Sequence, residues 1–134
     1  MINKKFKIAA VLMIIHGAMM EALTGIAMFP LAIKSSMNDA VLPYIFAIDF
    51  FRENILFMLP MAVIFGVTRV IGAVALLKNL KWGFVLSVIN CIVTMNVMLF
   101  MIPSGIADGI FACTALILLL CGYFGKEKIN KDSI

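Results

Sequence analysis

Four long apolar runs constrain this chain more than any other feature of its sequence. They extend over about 6–33, 54–77, 83–102 and 107–124, and each is close to or above the ~20 residues that a helix needs to cross the hydrocarbon layer of a bilayer. Hydrophobic residues make up 64% of the chain and charged residues 13%, whereas a typical soluble domain is about half apolar and a quarter charged. The sequence therefore predicts an all-α integral membrane protein, a single domain over 1–134 with four transmembrane helices in a bundle.

Lysine and arginine residues are distributed unevenly between the two sides of such a bundle. Lys34 and Arg52 lie on one side, and the eight on the other side are Lys4, Lys5, Lys7, Lys78, Lys81, Lys126, Lys128 and Lys131. Cytoplasmic segments of membrane proteins carry the excess of positive charge. We therefore expect both termini in the cytoplasm and a location in the cytoplasmic (inner) cell membrane of a prokaryote. The net charge of +4 follows from this bias, so no nucleic-acid partner is predicted.

The first extracytoplasmic loop, 34–54, is the only sizeable connection between the apolar runs. Its aromatic and charged residues are Asp39, Tyr44, Phe46, Asp49, Phe50, Phe51, Arg52 and Glu53. This mixture predicts a short helix that lies in the outer headgroup layer, with Asn38 or Asp39 as its N-cap. Two interpretations of the loop stay open: a connector embedded in the interface, which is the more common case, or a lid over an outward-facing cavity.

Each apolar run carries small or polar residues on one helical face, counted at about 100° per residue. These faces comprise Gly17, Glu21, Thr24 and Gly25 in the first run, Ala62, Gly66, Arg69 and Ala73 in the second, Gly83, Ser87, Asn90, Cys91, Thr94 and Met98 in the third, and Gly105, Asp108, Gly109 and Ala112 in the fourth. Small residues let membrane helices approach closely, so the four faces predict a bundle with a polar interior. Asn96 falls on the opposite face of the third run.

Ionisable residues at membrane depth usually face the bundle interior and are paired there. Counting about 1.5 Å per residue from the cytoplasmic ends places His16, Arg69, Asn90 and Thr94 in one layer, with Glu21 further out. Our hypothesis is that Glu21 is the counter-ion of Arg69 and that His16, Asn90 and Thr94 complete a hydrogen-bonded network. These five residues form the predicted site for a ligand or an ion.

Three interpretations of this network are compatible with the sequence. The first is a buried ion pair that fixes how the helices pack. The second is a site at which the carboxylate and the imidazole bind a cation or exchange protons, as in proton-coupled transporters. The third is a misplaced helix boundary, with Arg69 extending to the cytoplasmic surface.

Sequence motifs with known chemistry are missing from the chain. It has no P-loop, no dinucleotide-binding glycine motif, no HExxH and no GxSxG, so we predict neither an enzyme nor a cofactor. Cys91, Cys113 and Cys121 fall inside predicted spans without the spacing of metal ligands. We therefore expect no metal site and no disulfide framework.

Two segments, GAMMEALTGIAM (17–28) and IPSGIADGIF (102–111), the latter with LLLCGYFGK further on, resemble the small multidrug resistance transporters. That family carries a membrane-embedded glutamate in its first span and an Ile-Pro-Thr-Gly-Ile-Ala type of entry to its third. The resemblance implies that Glu21 is a shared site for protons and cations. The chain departs from the family pattern in its longer first loop, in Asp108 and in Arg69.

The sequence thus predicts a small multi-pass membrane protein that binds or transports a cation or an amphipathic small solute through a polar intramembrane site. The alternative is an accessory or structural subunit of a larger membrane complex, in which the polar network is scaffolding. The expected partners are the lipid bilayer, a small-molecule or cation ligand, and either a second copy in a homodimer or a larger membrane complex.

Overall fold

The structure is a computed structural model that describes residues 3–34 and 45–125. Four of its helices are long and apolar enough to cross a membrane; we call them the first span (Lys4–Ile33), the second (Ile55–Leu77), the third (Lys81–Met98) and the fourth (Gly105–Tyr123). The first span consists of α1 (Lys4–Ile15), a π-helical segment (His16–Leu23) and α2 (Thr24–Ile33). A short helix, α3 (Asp49–Glu53), precedes the second span, and the second, third and fourth spans are α4, α5 and α6.

The helix predicted for the first loop falls only partly within the described residues. Asn38, Asp39 and Tyr44 lie outside them, and the described part of the loop contains α3. Its placement in the headgroup layer stays a prediction. The cytoplasmic location of both termini also stays a prediction, and the last three lysines on which it depends, Lys126, Lys128 and Lys131, lie outside the described residues.

The π-helical segment at the centre of the first span changes which residues share a face. Its backbone hydrogen bonds join residues five apart instead of four, and Oε1 of Glu21 lies 3.9 Å from Nε2 of His16. The hydroxyl of Thr24 donates to the carbonyl oxygen of Met19 at 3.1 Å and so satisfies a backbone acceptor of this segment. The sequence count assumed an α-helix throughout and placed Glu21 further out than His16; the wider π turns bring the two side chains together.

The first and second spans cross at two glycines whose backbones are nearly in contact. A Cβ atom on Gly17 would lie 2.7 Å from the carbonyl oxygen of Gly66, and a Cβ atom on Gly66 would lie 2.5 Å from that of Gly17. Further along, a Cβ atom on Gly25 would lie 3.0 Å from the carbonyl oxygen of Leu59. The absence of side chains permits this approach. It places Arg69, one turn from Gly66, directly against the π-helical segment.

An apolar core fills the bundle between the chain termini and the polar interior. All four spans contribute to it, with Phe6, Ala9, Ala10, Met13, Ala73, Leu76, Cys91, Ala115 and Leu119. The ring of Phe6 packs on Gly122, where an added Cβ atom would lie 2.7 Å from Cε1 of the ring. Because lipid tails are as apolar as these side chains, the core stabilises the bundle through close packing and not through the hydrophobic effect.

The other end of the bundle is uneven because the spans differ in length. The first span has 30 residues and the fourth has 19, and the two are aligned at the end where Phe6 meets Gly122. The first span therefore extends beyond the start of the fourth. Phe46 of the first loop packs at this end in a second apolar cluster with Ala32, Ile55 and Leu59.

Two contacts join the first loop to the loop between the third and fourth spans. One is an isolated antiparallel bridge between Phe46 and Pro103, to which the hydrogen bond from the N–H of Ala47 to the carbonyl oxygen of Ile102 at 2.9 Å belongs. The other is a hydrogen bond from the hydroxyl of Ser104 to the carbonyl oxygen of Ile45 at 2.8 Å. The loop is therefore held over the start of the fourth span.

Candidate functional site

Arg69 is the centre of a polar network inside the bundle. Its Nε donates to Oδ1 of Asn90 at 3.2 Å, its Nη1 donates to Nδ1 of His16, and its Nη2 donates to the hydroxyl of Thr94. Nη2 also pairs with Oε1 of Glu21 at 2.9 Å. The guanidinium of the second span thus binds side chains of the first and third spans.

The geometry brings together all five residues that the sequence analysis selected. The pairing of Glu21 with Arg69 is confirmed. The interpretation in which Arg69 extends to the cytoplasmic surface is wrong, because the side chain is only 1% exposed and is held among three spans. The close approach at Gly17 and Gly66 contributes to this burial, since it packs the stem of Arg69 against Gly17, where an added Cβ atom would lie 3.1 Å from Cβ of Arg69. A ligand-binding role for the five residues stays a prediction.

Asn90 is oriented by a second set of hydrogen bonds. Its Nδ2 donates to the hydroxyl of Thr68 at 3.1 Å, and that hydroxyl donates to the carbonyl oxygen of Phe65 at 2.9 Å. With its amide nitrogen engaged in this way, Asn90 presents its oxygen to Arg69. The polar stripe predicted for the third span is buried except at Met98, which is half-buried, and Ser87 and Cys91 lie on it within the bundle.

Asp108 is the residue that the sequence analysis did not include in the site. Its Oδ1 lies 2.9 Å from Nε2 of His16, so the fourth span contributes a second carboxylate. The sequence did indicate that Asp108 faces the bundle interior, because it shares the small-residue face of its helix with Gly105, Gly109 and Ala112. Asp108 lies in the first turn of the fourth span, and the shorter fourth span brings that turn level with the middle of the first.

Hydrogen-bond chemistry defines the protonation of His16. A guanidinium has donors only, so Nδ1 of His16, which faces Nη1 of Arg69, is the acceptor and carries no proton. The ring proton is therefore on Nε2, which donates to Oδ1 of Asp108. In this arrangement the imidazole is neutral, and it connects the guanidinium of one span to the carboxylate of another.

We call His16, Glu21, Arg69 and Asp108 the charge cluster. It holds one fixed positive charge, on Arg69, and two groups that become negative when ionised, Glu21 and Asp108. One positive and two negative charges leave one excess negative charge. An uncompensated charge among apolar side chains is strongly unfavourable, so the cluster needs either a proton or another cation.

Solvent exposure differs between the two sides of the cluster. The side chains of Arg69 and His16 are 1% and 2% exposed, those of Glu21 and Asp108 14% and 26%. Oε2 of Glu21 is buried and accepts no hydrogen bond from the described residues. The apolar core separates the cluster from the terminal end of the bundle. The carboxylates are thus the more exposed side of the cluster, although the unused acceptor, Oε2 of Glu21, is itself buried.

Comparison with known proteins adds no relative for this chain: no protein-family model, no curated protein and no solved structure matches it. The resemblance of two short segments to the small multidrug resistance transporters therefore stays a prediction, and the charge cluster has to be interpreted from its own geometry.

Proposed function

We propose that this membrane protein binds, and as a transporter moves, a cation or a positively charged amphipathic solute at the carboxylates of Glu21 and Asp108. Arg69 acts as the counter-charge that keeps one carboxylate ionised. His16 holds the second carboxylate in place, and Asn90 and Thr94 fix the guanidinium. The observation that carries the proposal is that two carboxylates, those of Glu21 and Asp108, share one cluster with a single guanidinium, whose Nη1 faces Nδ1 of His16.

Oε2 of Glu21, a buried oxygen without a hydrogen bond from the described residues, supports a ligand bound next to this carboxylate. A buried carboxylate oxygen without a hydrogen bond is uncommon in folded proteins and calls for a specific explanation, such as a bound proton, water or ion. Oε2 of Glu21 is such an atom, and it belongs to the carboxylate whose other oxygen pairs with Arg69 at 2.9 Å. A cation on the Oε2 side would therefore complete the coordination of Glu21.

The same charge balance predicts an exchange of protons for cations. Without another cation, a proton on Glu21 or Asp108 neutralises the excess charge. A cation that binds there replaces this proton, and the number released cannot exceed about one per protein. In a transporter, this competition between a proton and a cation for the same negative charge would couple proton movement to cation movement.

The test is proton release by the purified protein in lipid nanodiscs, in weakly buffered solution with a pH indicator. Sodium chloride and tetrapropylammonium chloride serve as the inorganic and organic cation probes. We expect release from the parent protein with at least one of them, and none from the Glu21→Gln or Asp108→Asn variant. A parent that neither releases protons nor gives a heat of binding would contradict the proposal, as would release that is unchanged in both variants.

Asp49→Asn is the matched control for loss of a carboxylate. Asp49 lies outside the spans in α3, where it pairs with Arg52 at 2.6 Å and is 80% exposed. This variant changes the net charge by the same amount and leaves the charge cluster intact. Its proton release should equal that of the parent.

A second function, in which the network is scaffolding within a subunit of a larger membrane complex, is favoured by the burial of Arg69. The side chain is 1% exposed and bonds to residues on two other spans, as expected of a group that fixes helix packing. For that function, Glu21→Gln would lower the melting temperature, and the parent would show no response to either cation probe.

A further inference from the structure

Asn96 is a polar residue on the lipid-facing side of the bundle. It lies on the third span, on the face opposite to the buried Asn90 and Thr94, and its side chain is exposed. Its Nδ2 donates to the carbonyl oxygen of Ile92 in the same helix at 2.8 Å. Within the described part of the chain, its Oδ1 accepts no hydrogen bond.

The surroundings of Asn96 are apolar on both sides along the helix. Ile89 and Ile92 precede it on the same face with exposed fractions of 52% and 47%, and Leu99 and Phe100 follow it with 58% and 54%. The exposed apolar surface thus continues beyond Asn96 in both directions, as expected of a residue that lies within the hydrocarbon layer. A carboxamide in lipid lacks water to bond with, and such side chains commonly form hydrogen bonds to a neighbouring helix.

We propose that this face of the third span is the contact surface for a second copy of the same chain. A carboxamide is both donor and acceptor, so two asparagines related by a two-fold axis satisfy each other. Copies inserted in the same direction place Asn96 at the same depth in the bilayer. A two-fold axis along the membrane normal, next to the third span, therefore brings the two amides together.

The residues beside Asn96 fit such a contact. Val85, Ile89, Ile92, Asn96 and Leu99 are exposed and follow one another at alternating intervals of four and three residues. This is the spacing of a helix-to-helix seam, in which one asparagine at an interior position specifies the register and the number of helices. The dimer goes beyond the proposed function and does not depend on it, because the charge cluster lies on the other side of the third span.

The primary test measures the dissociation constant of the full-length protein in lipid vesicles by energy transfer between donor- and acceptor-labelled copies. We expect the parent to dimerise and Asn96→Leu to weaken the dimer by about tenfold or more, since each side of the contact loses a hydrogen bond. Thr114→Val is the matched control, because Thr114 is an exposed hydroxyl on the fourth span that donates to Ile110 at 2.8 Å. This control should dimerise like the parent.

Disulfide crosslinking in membranes locates the interface with Asn96 intact. In a background without the three native cysteines, Leu99→Cys on the proposed surface should crosslink two copies, whereas Ile117→Cys on the exposed face of the fourth span should not. The dimer surface would be wrong if the parent stays monomeric at all protein densities, if Asn96→Leu dimerises as tightly as the parent, or if Ile117→Cys crosslinks in preference.

Discussion

Nε2 of His16, near the middle of the first span, donates a hydrogen bond at 2.9 Å to Oδ1 of Asp108 in the first turn of the fourth span. This bond joins the fourth span to a network whose other described members, Glu21, Arg69, Asn90 and Thr94, belong to the first three spans. It also supplies the second carboxylate of the charge cluster. Asp108 therefore contributes in two ways: as a hydrogen-bond acceptor for His16 and as a carboxylate that carries negative charge when ionised.

Substitutions of Asp108 should separate these two contributions. Asp108→Asn keeps an oxygen that accepts from His16, so we expect its free energy of unfolding to stay within about 1 kcal/mol of the parent. Asp108→Leu leaves the buried Nε2–H without an acceptor, which costs roughly 1–3 kcal/mol. Thermal unfolding in nanodiscs, followed by circular dichroism, measures both. Equal stability of the asparagine and leucine variants would show that the hydrogen bond contributes little.

Removal of Arg69 should have the largest effect on stability. Arg69→Leu leaves Glu21 without its partner at 2.9 Å, and breaking one side of a buried ion pair typically costs about 3–5 kcal/mol. The double variant Arg69→Leu/Glu21→Leu should recover much of this loss, because no carboxylate of that pair is left uncompensated. The measurement compares the melting temperatures of the single and double variants. If the double variant melts at the same temperature as Arg69→Leu alone, the unpaired Glu21 is not the cause of the lost stability.

The crossing of the first and second spans should tolerate no added methyl group. Gly66→Ala places a Cβ atom 2.5 Å from the carbonyl oxygen of Gly17, and because this neighbour is backbone, the helices have to separate. We expect a loss of roughly 1–3 kcal/mol in unfolding free energy.

Gly72→Ala is the matched control for this substitution on the same helix. Its Cβ atom would lie 3.2 Å from the hydroxyl of Ser87, a side-chain atom that can rotate. The unfolding free energy should therefore change by less than about 1 kcal/mol. Similar losses in Gly66→Ala and Gly72→Ala would contradict the backbone contact.

The contact between the first loop and the loop before the fourth span should depend on Ser104. Its hydroxyl oxygen lies 2.8 Å from the carbonyl oxygen of Ile45 and 3.0 Å from that of Met101, and the single O–H donor is shared between them. Ser104→Ala therefore removes about 1 kcal/mol of local stability. Amide hydrogen exchange at Ala47, whose N–H is bonded to Ile102, should become about fivefold faster. Thr114→Val is the control, and an unchanged rate at Ala47 in Ser104→Ala would show that other contacts hold the loop.

The pairing of Glu21 with Arg69 could be predicted because it depends on local properties of the sequence. Hydrophobic run length indicates a span, and helical periodicity shows that Arg69 shares a face with Gly66 and Ala73. A guanidinium on such a face has to turn inward and needs an anion. Glu21 was an acidic residue on the small-residue face of a neighbouring span, although the count of residues placed it further out than Arg69.

The role of Asp108 could not be predicted in the same way. Its partner depends on the level at which the fourth span lies beside the first, and the sequence does not contain that offset. The offset results from the packing of Phe6 on Gly122 and from the difference between 30 and 19 residues in span length. The π-helical turns were also unpredictable, because local propensities hardly distinguish them from α-helical ones.

The sequence by itself determined that this chain forms four apolar helices and, for the second, third and fourth spans, which face turns inward, since both follow from the chemistry of neighbouring residues along one helix. On the first span the predicted face is wrong at Thr24, which is exposed because the π-helical segment changes the rotation of the residues that follow it. Only the tertiary structure decided that His16 is the neutral link between Arg69 and Asp108, and that Glu21 joins them through a π-helical segment. These relationships require the relative rotation and axial position of separate helices. Those quantities are set by close contacts such as Gly17 with Gly66, which form between residues far apart in the chain.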